Sequence, residues 1–249
     1  MVTLRDMECE GRVAIVTGGG VRVGRAIALG LASAGADVFV HYNRSADPAE
    51  ETAARVRERG SRAATGSVDL SDPARAGELI TLATEHLGAP SILVNSASGF
   101  PTDTIRDVTL EAWRRTLDLT LASPVFATQA FADGLPHDTD GAVVNITDVR
   151  TSNPYREHFS YIVAKGGIDT FTRTAALQLA PRIRVNAVAL GVILPPPGEG
   201  DDYATRLADE LPLAKVGGTE PVVAVVLALL ANDFVTGEIV RVDGGGHLV

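Results

Sequence analysis

Short apolar runs alternate along this chain with longer stretches of helical spacing. "RVAIVT", "ADVFVHY", "SILVNSA", "GAVVNITD", "RIRVNAVAL" and "EIVRVDGG" have strand length and strand composition, and the weaker "RAATGSVDL" fits a further strand between the second and third. Between them lie "VGRAIALGLASAG", "PAEETAARVRERG", "DPARAGELITLATEHLG", "TLEAWRRTLDLTLASPVFATQAFADG", "YIVAKGGIDTFTRTAALQLA" and "EPVVAVVLALLAN", each of helical length and several closed by glycine. Strands that are apolar throughout are covered on both faces, so the alternation predicts an α/β fold, a doubly wound parallel sheet between two helical layers. No linker, repeat or low-complexity segment interrupts it, and residues 1–249 read as one domain. "GVILPPPGEGDD" is the one irregular stretch of note, because three consecutive prolines exclude regular structure there.

Composition narrows the classes of partner. The 249 residues are 45% hydrophobic, ample for a large core, and the net charge of -9 with a pI near 5.0 argues against nucleic acid or an anionic membrane. Any clustered cations therefore serve a specific site. Cys9 is the sole cysteine, which rules out an intrachain disulfide and fits a reducing cytosol. The start "MVTLRDMECEGR" has no apolar h-region, and the run from Val222 to Ala231 is about half the length of a bilayer span, so a cytoplasmic location is expected. The histidines show no ligand spacing with one another or with carboxylates. They read as structural or surface residues, with no metal site.

The first strand leads into "TGGGVRVG", with Gly18 and Gly24 flanking Arg22. A glycine-rich turn between a strand and a helix lets backbone amides and the helix N-terminus face a pyrophosphate. A second strand ends about twenty residues on, where a site for NAD needs an acid for the ribose hydroxyls. Here stand Asn43, Arg44 and Ser45, a cation between small hydrogen-bonding side chains, which suits a phosphate. Arg22, expected to reach toward the same side, would supply a second guanidinium to grip phosphate oxygens. Solvated surface charge is the alternative for both arginines.

"SYIVAKGG" places Tyr161 and Lys165 one helical turn apart on one face. An adjacent ammonium favours a phenolate, so Lys165 is expected to lower the tyrosine's pKa. Asp148 ends the strand "GAVVNITD" at the carboxyl edge of the sheet, thirteen positions before Tyr161. A carboxylate capping the next turn is the plainer reading of Asp148, as a core aromatic is of Phe100.

Taken in order, the glycine loop, Asp69 in "VDLSD", "NSAS" from Asn95 through Ala97 to Ser98, Tyr-x-x-x-Lys, Asn186 in "IRVN" and Asp243 in "VDGG" resemble the short-chain dehydrogenases/reductases over nearly the whole chain. Arg in the loop, "HYNRS", Phe100 in "NSASGF" and Asp148 in place of the usual serine make it most similar to the pteridine reductases and dihydromonapterin or dihydrofolate reductases. The resemblance implies a Rossmann-type fold, NADPH held by Gly18, Arg22, Gly24, Asn43, Arg44, Ser45, Asp69, Asn95, Ala97, Tyr161 and Lys165, and a catalytic set of Asp148, Tyr161 and Lys165. It places a flat substrate between the nicotinamide and Phe100, near Ser98, with Asp148 and Tyr161 as proton donors. It implies a homotetramer, and a substrate lid over residues 191–215.

Thr120 stands where these relatives usually carry Asn in a proton relay, and Leu190 precedes Gly191 where Pro is usual. The leading expectation is an NADPH-dependent reductase of a pterin-like C=N or C=C substrate. A carbonyl reductase of ketones or 3-oxoacyl groups and a non-catalytic NADPH-binding protein are the alternatives.

Overall fold

The computed structural model describes residues 9–195 and 206–249. Seven strands, β1 (Val13–Val16), β2 (Asp37–Tyr42), β3 (Ala63–Ser67), β4 (Ile92–Asn95), β5 (Gly141–Asp148), β6 (Ile183–Leu190) and β7 (Ile239–Val242), form one sheet. All pair in parallel in the order β3-β2-β1-β4-β5-β6-β7. The helices between them are α1 (Arg22–Ser33), α2 (Ala46–Arg57), α3 (Glu78–Leu87), α4 (Leu110–Leu117), α5 (Ser123–Gly134), α6 (Phe159–Leu179) and α7 (Glu220–Ala231).

Alternation within each strand splits the core in two. Ala14 and Val16 point toward α1, α2 and α7, where they meet Ile27, Leu31, Val56 and Val226. Val13 and Ile15 point the other way, to Leu79, Phe131 and Ala176 on α3, α5 and α6. With both faces covered, the strands are apolar throughout, which is why they read as continuous runs.

The chain winds outward from β1 to β3, then crosses back to β4 and winds the other way. That reversal opens a crevice at the carboxyl ends of β1 and β4, the place where open α/β sheets bind ligands.

One expected helix is interrupted. "TLEAWRRTLDLTLASPVFATQAFADG" runs as α4, a π-helical turn over Asp118–Ala122, and α5. Pro124 in the first turn of α5 has no N–H to offer the carbonyl of Thr120 and its ring crowds that carbonyl, so the helix widens there. Part of the expected lid, residues 196–205, lies outside the described residues.

Candidate active site

The crevice is built first from backbone. Thr17 is buried at the end of β1, and its Oγ1 accepts from the N–H groups of Ser96 and Ala97, both at 2.9 Å, fastening the loop after β1 to the loop after β4. Gly18 takes φ +64, and a Cβ on it would approach the Cα of Ala97 at 3.2 Å. At Gly24 a Cβ would sit 2.3 Å from the carbonyl oxygen of Gly18, so helix and loop pack here only without a side chain. The first turn of α1 carries no acidic residue and no side-chain cap. Its free N–H groups and positive dipole end open toward the crevice, a cradle that suits a pyrophosphate.

His41 fixes this loop from beneath. Its ring is buried, Nδ1 accepts from the Gly18 N–H at 3.1 Å and Nε2 lies 2.9 Å from the Val68 carbonyl, which requires the neutral tautomer protonated on Nε2. Burial holds its pKa below the usual imidazole value. The sequence reading of His41 as structural is right in kind, yet its partner is the nucleotide loop itself.

Asn43, Arg44 and Ser45 follow β2 as exposed residues. Asn43 Nδ2 donates to Asp69 Oδ1 at 3.2 Å, and Asp69 also accepts from the hydroxyl and backbone N–H of Ser71. The two bonds from Ser71, helped by the charges of Arg44 and Arg75, hold the Asp69 carboxyl below its usual pKa. The residues expected around an adenosine phosphate are thus brought together at the β2 and β3 edge.

Arg22 is not among them. Its backbone sits in the left-handed region at φ +53, and Nη2 donates to the Pro195 carbonyl at 2.7 Å. Pro195 follows β6, which lies across β4 and β5 from β1, so the guanidinium reaches away from Arg44. The expectation that both arginines reach toward one side is corrected. The turn that starts α1 directs the Arg22 side chain along the crevice toward its far end.

The chemistry-bearing side chains gather at that far end. Asp148 closes β5 and is 8% exposed. Its Oδ1 accepts from the Arg150 N–H at 2.8 Å and its Oδ2 from the Tyr161 hydroxyl at 2.9 Å. Lys165, one turn further along α6, is buried with Nζ donating to the Ile146 carbonyl at 2.6 Å, and its ammonium lies 5.6 Å from the Tyr161 ring centroid. Thr147 bonds Asp169 at 2.6 Å, tying β5 to α6 beneath the three groups. A buried amide chain does the same further in: Asn95 donates to Asn145 and Asn145 to Thr172, both at 2.9 Å. Asn95 therefore braces β4 against β5 from inside the core.

Burial pushes each of these groups toward its neutral form. Desolvation raises the Asp148 pKa against the pull of the Arg150 N–H, Tyr161 and Lys165. Desolvation lowers Lys165 from 10.5 to about 8. Tyr161 is raised well above its usual value by burial and then by the adjoining Asp148 carboxylate. This reverses the expectation that Lys165 acidifies the tyrosine. The carboxylate accepts the phenol's hydrogen directly, while the ammonium donates to the Ile146 carbonyl and lies over the ring.

Aromatic side chains form the outer wall. Phe100, 42% exposed, stacks on His158 with centroids 3.7 Å apart and 18° between planes, and meets Tyr161 edge-on at 4.9 Å. His158 covers one face of Phe100, and Tyr155 also meets the ring at 6.3 Å with 79° between planes. His158 was read from sequence as structural or surface. Its left-handed backbone, rare outside glycine, is the feature that turns it onto Phe100. The Ser98 hydroxyl bonds the Gly99 carbonyl and lies 3.3 Å from Thr120, which puts both at the crevice side of the π turn.

Beyond Asp148 a cavity of about 220 Å³ is lined by Val149, Arg150, Tyr155, Val192, Leu207 and Glu210. Leu190 completes β6, paired with Asp148 on one side and Val242 on the other, and a Cβ on Gly191 would strike the Asp243 Cα at 2.6 Å. Asp243 accepts from Gly245, from the His247 N–H and from its ring, folding the last residues against the cavity. Among the described residues no helix is long and apolar enough to cross a membrane, and no three His, Cys, Asp or Glu side chains are grouped to hold a metal.

Comparison with known proteins places this geometry. Residues 20–247 match the family model described as Enoyl-(Acyl carrier protein) reductase. A 3-oxoacyl-[acyl-carrier-protein] reductase of Synechocystis sp. is 33% identical over 242 residues, covering 94% of this chain and 96% of its own. The structure of FolM alternative dihydrofolate reductase 1 from Brucella canis, complexed with NADP, superposes with a TM-score of 0.90 at 36% identity, covering 96% of this chain and 95% of that one. Its counterpart from Brucella suis, also in complex with NADP, gives 0.92 at 36% identity with 96% of each chain covered. The chain belongs to the short-chain dehydrogenase/reductase family of oxidoreductases.

Proposed function

We propose that this enzyme is an NADPH-dependent reductase of a flat, pterin-like substrate, acting on a C=N or C=C bond with Asp148 and Tyr161 as the proton donors. The observation that carries it is the buried hydrogen bond from Tyr161 to Asp148 at 2.9 Å, on a carboxyl whose pKa burial has raised. A carboxyl group shifted toward its protonated form suits a ring nitrogen better than the oxygen of a ketone. The likeness to two FolM proteins in complex with NADP supports the same reading.

NADPH, when bound, supplies the hydride. The residues present fit it: the cradle at Gly18 and Gly24 admits no side chain, and β2 is followed by Asn43, Arg44 and Ser45, with a cation in place of the acid that a ribose hydroxyl would need. Arg44 would hold the adenosine phosphate, Asp69 the adenosine side, Arg22 the pyrophosphate and Lys165 the ribose next to Tyr161. Phe100, backed by His158, orients the substrate ring. Tyr161 and Asp148, hydrogen-bonded and both buried, would deliver the proton to it.

Carbonyl reduction is the second reading. The Tyr161 and Lys165 pair and the likeness to a 3-oxoacyl-[acyl-carrier-protein] reductase favour it. Exposed Leu110, Phe126, Val163 and Leu177 on α4, α5 and α6 support a homotetramer formed through those helices. The reading also carries a cytoplasmic location.

The test is NADPH oxidation by the purified enzyme with dihydrobiopterin, dihydromonapterin, dihydrofolate and a set of ketones and quinones, with NADH in parallel. Turnover of the dihydropterins with NADPH is expected. Turnover of ketones alone would replace the first reading by the second.

A further inference from the structure

Asp103 lies far from the hydride path in sequence and in motif, yet the start of the catalytic helix depends on it. α6 begins at Phe159, and His158 before it offers no side-chain cap. The Phe159 N–H instead donates to the Asp103 carbonyl at 3.1 Å, and the Ser160 N–H to Asp103 Oδ1 at 3.0 Å. The Ser160 hydroxyl bonds Asp103 Oδ2. Ser160 is fully buried and Asp103 is 8% exposed. A carboxylate that accepts two of these bonds, with its own backbone carbonyl taking the third, stands at the positive end of α6, the favourable place for an anion.

The same residue ends the segment that carries Phe100. Two residues earlier the Pro101 carbonyl lies 2.8 Å from His158 Nδ1, and His158 stacks on Phe100. The segment from Phe100 to Asp103 is thus pinned to the first turn of α6 at both ends. Tyr161 follows Ser160 directly, and its ring takes the edge of Phe100 at 4.9 Å.

We propose that Asp103 is a positioning residue for the reaction, a cap supplied from another part of the chain that sets Tyr161 against both Asp148 and Phe100. The carboxylate joins the substrate wall to the proton donor, so one side chain fixes the gap into which the flat ring must fit. Losing it frees the first turn of α6, and a misplacement of about 1 Å at the reacting groups costs on the order of 10²-fold in rate.

The inference rests on the proposed function only for the choice of substrate. The experiment compares Asp103→Ala, Asp103→Asn and Ser160→Ala with the unaltered enzyme in kcat, in NADPH affinity by fluorescence titration, and in the titration of Tyr161. For the last, the chain is labelled with 13Cζ-tyrosine and the resonance assigned with Tyr161→Phe. Asp103→Ala is expected to lower kcat by about 10- to 100-fold, to leave NADPH affinity within about 2-fold, and to move the Tyr161 titration down toward an ordinary phenol. Asp103→Asn keeps an acceptor for the Ser160 N–H and gains a donor for its hydroxyl, so it should restore kcat to within about 3-fold. Ser160→Ala, which keeps the backbone bond, should fall between the two.

Unchanged kcat and an unmoved Tyr161 titration in Asp103→Ala would overturn the proposal. So would NADPH affinity falling in step with kcat, which marks a general loss of structure, or Asn proving as damaging as Ala. The Tyr161 titration needs no substrate, so an enzyme that turns over only ketones would still pass or fail this test.

Discussion

The two ends of the crevice are built on opposite plans. At the β2 and β3 end, Asn43, Arg44 and Ser45 stand exposed on a frame of backbone, and the frame is shaped by the absence of side chains at Gly18 and Gly24. At the β5 and α6 end, Asp148, Tyr161 and Lys165 are buried, bonded to each other or to the sheet, and each is pushed toward its uncharged form. The first plan suits binding, because an exposed guanidinium keeps its charge for a phosphate that arrives with its own. The second suits proton transfer, because burial lets a carboxyl hold a proton it would lose in water and lets an ammonium give up one it would keep. Damage at the two ends should therefore show up in different constants.

The largest effect is expected from Asp148→Asn, which keeps the shape and removes the acid. Turnover should fall by about 10²-fold or more while NADPH affinity stays nearly constant. The rate of the unaltered enzyme should decline as pH rises through the raised Asp148 pKa, since the acid must be protonated, and that limb should vanish in the variant. A rate left within a few-fold of normal would transfer the whole proton role to Tyr161.

Arg44→Asp tests the opposite end. Losing charge-assisted bonds and placing a carboxylate there should weaken NADPH by about 10²-fold, change NADH by no more than about 3-fold, and leave kcat at saturating NADPH intact. Equal losses for both coenzymes would make Arg44 a surface charge.

Lys165 gives the smallest effect and the sharpest sign. Folded, it releases its proton near pH 8 where the free side chain does so near 10.5, so between those values the unfolded chain binds more protons and the native state gains stability as pH rises. From pH 8 to 10 the unaltered protein should gain on the order of 2 kcal/mol relative to Lys165→Met in urea denaturation. A constant difference across that range would mean that the lysine stays charged in the folded chain.

The parts legible in sequence are those written locally. Gly18 and Gly24 bracket one turn, Tyr161 and Lys165 share one helical face, and apolar runs mark the central strands, which have no polar face to disguise them, while the half-buried edge strand β3 reads only weakly. Asp148 could be placed beside Tyr161 because a strand end and the following helix start meet at one edge of the sheet. What escaped depends on distance across the fold. His41 clasps a loop 23 residues away, and Asp103 caps a helix 57 residues on, with no motif to mark either. The sign of the Tyr161 shift is hidden for the same reason: spacing puts an ammonium one turn away, but only the fold brings the Asp148 carboxylate onto the hydroxyl. Arg22 was assigned to the wrong end because a left-handed turn redirects the side chain. The break at Pro124 was readable in principle, since a proline within a helical pattern forbids one bond of the ladder.

The depressed Lys165 pKa has a consequence outside catalysis. Only two lysines occur in the whole chain, Lys165 and the exposed Lys215, and arginine carries the rest of the positive side-chain charge. Arginine stays protonated and is inert to acylation and imine formation, whereas an amine that loses its proton near pH 8 becomes a nucleophile under mildly alkaline conditions. Toward electrophilic carbonyl and acyl compounds the protein thus presents one lysine at the surface, Lys215, and keeps the one with the depressed pKa, Lys165, buried beside its crevice. A coenzyme lying over the second would act as its shield.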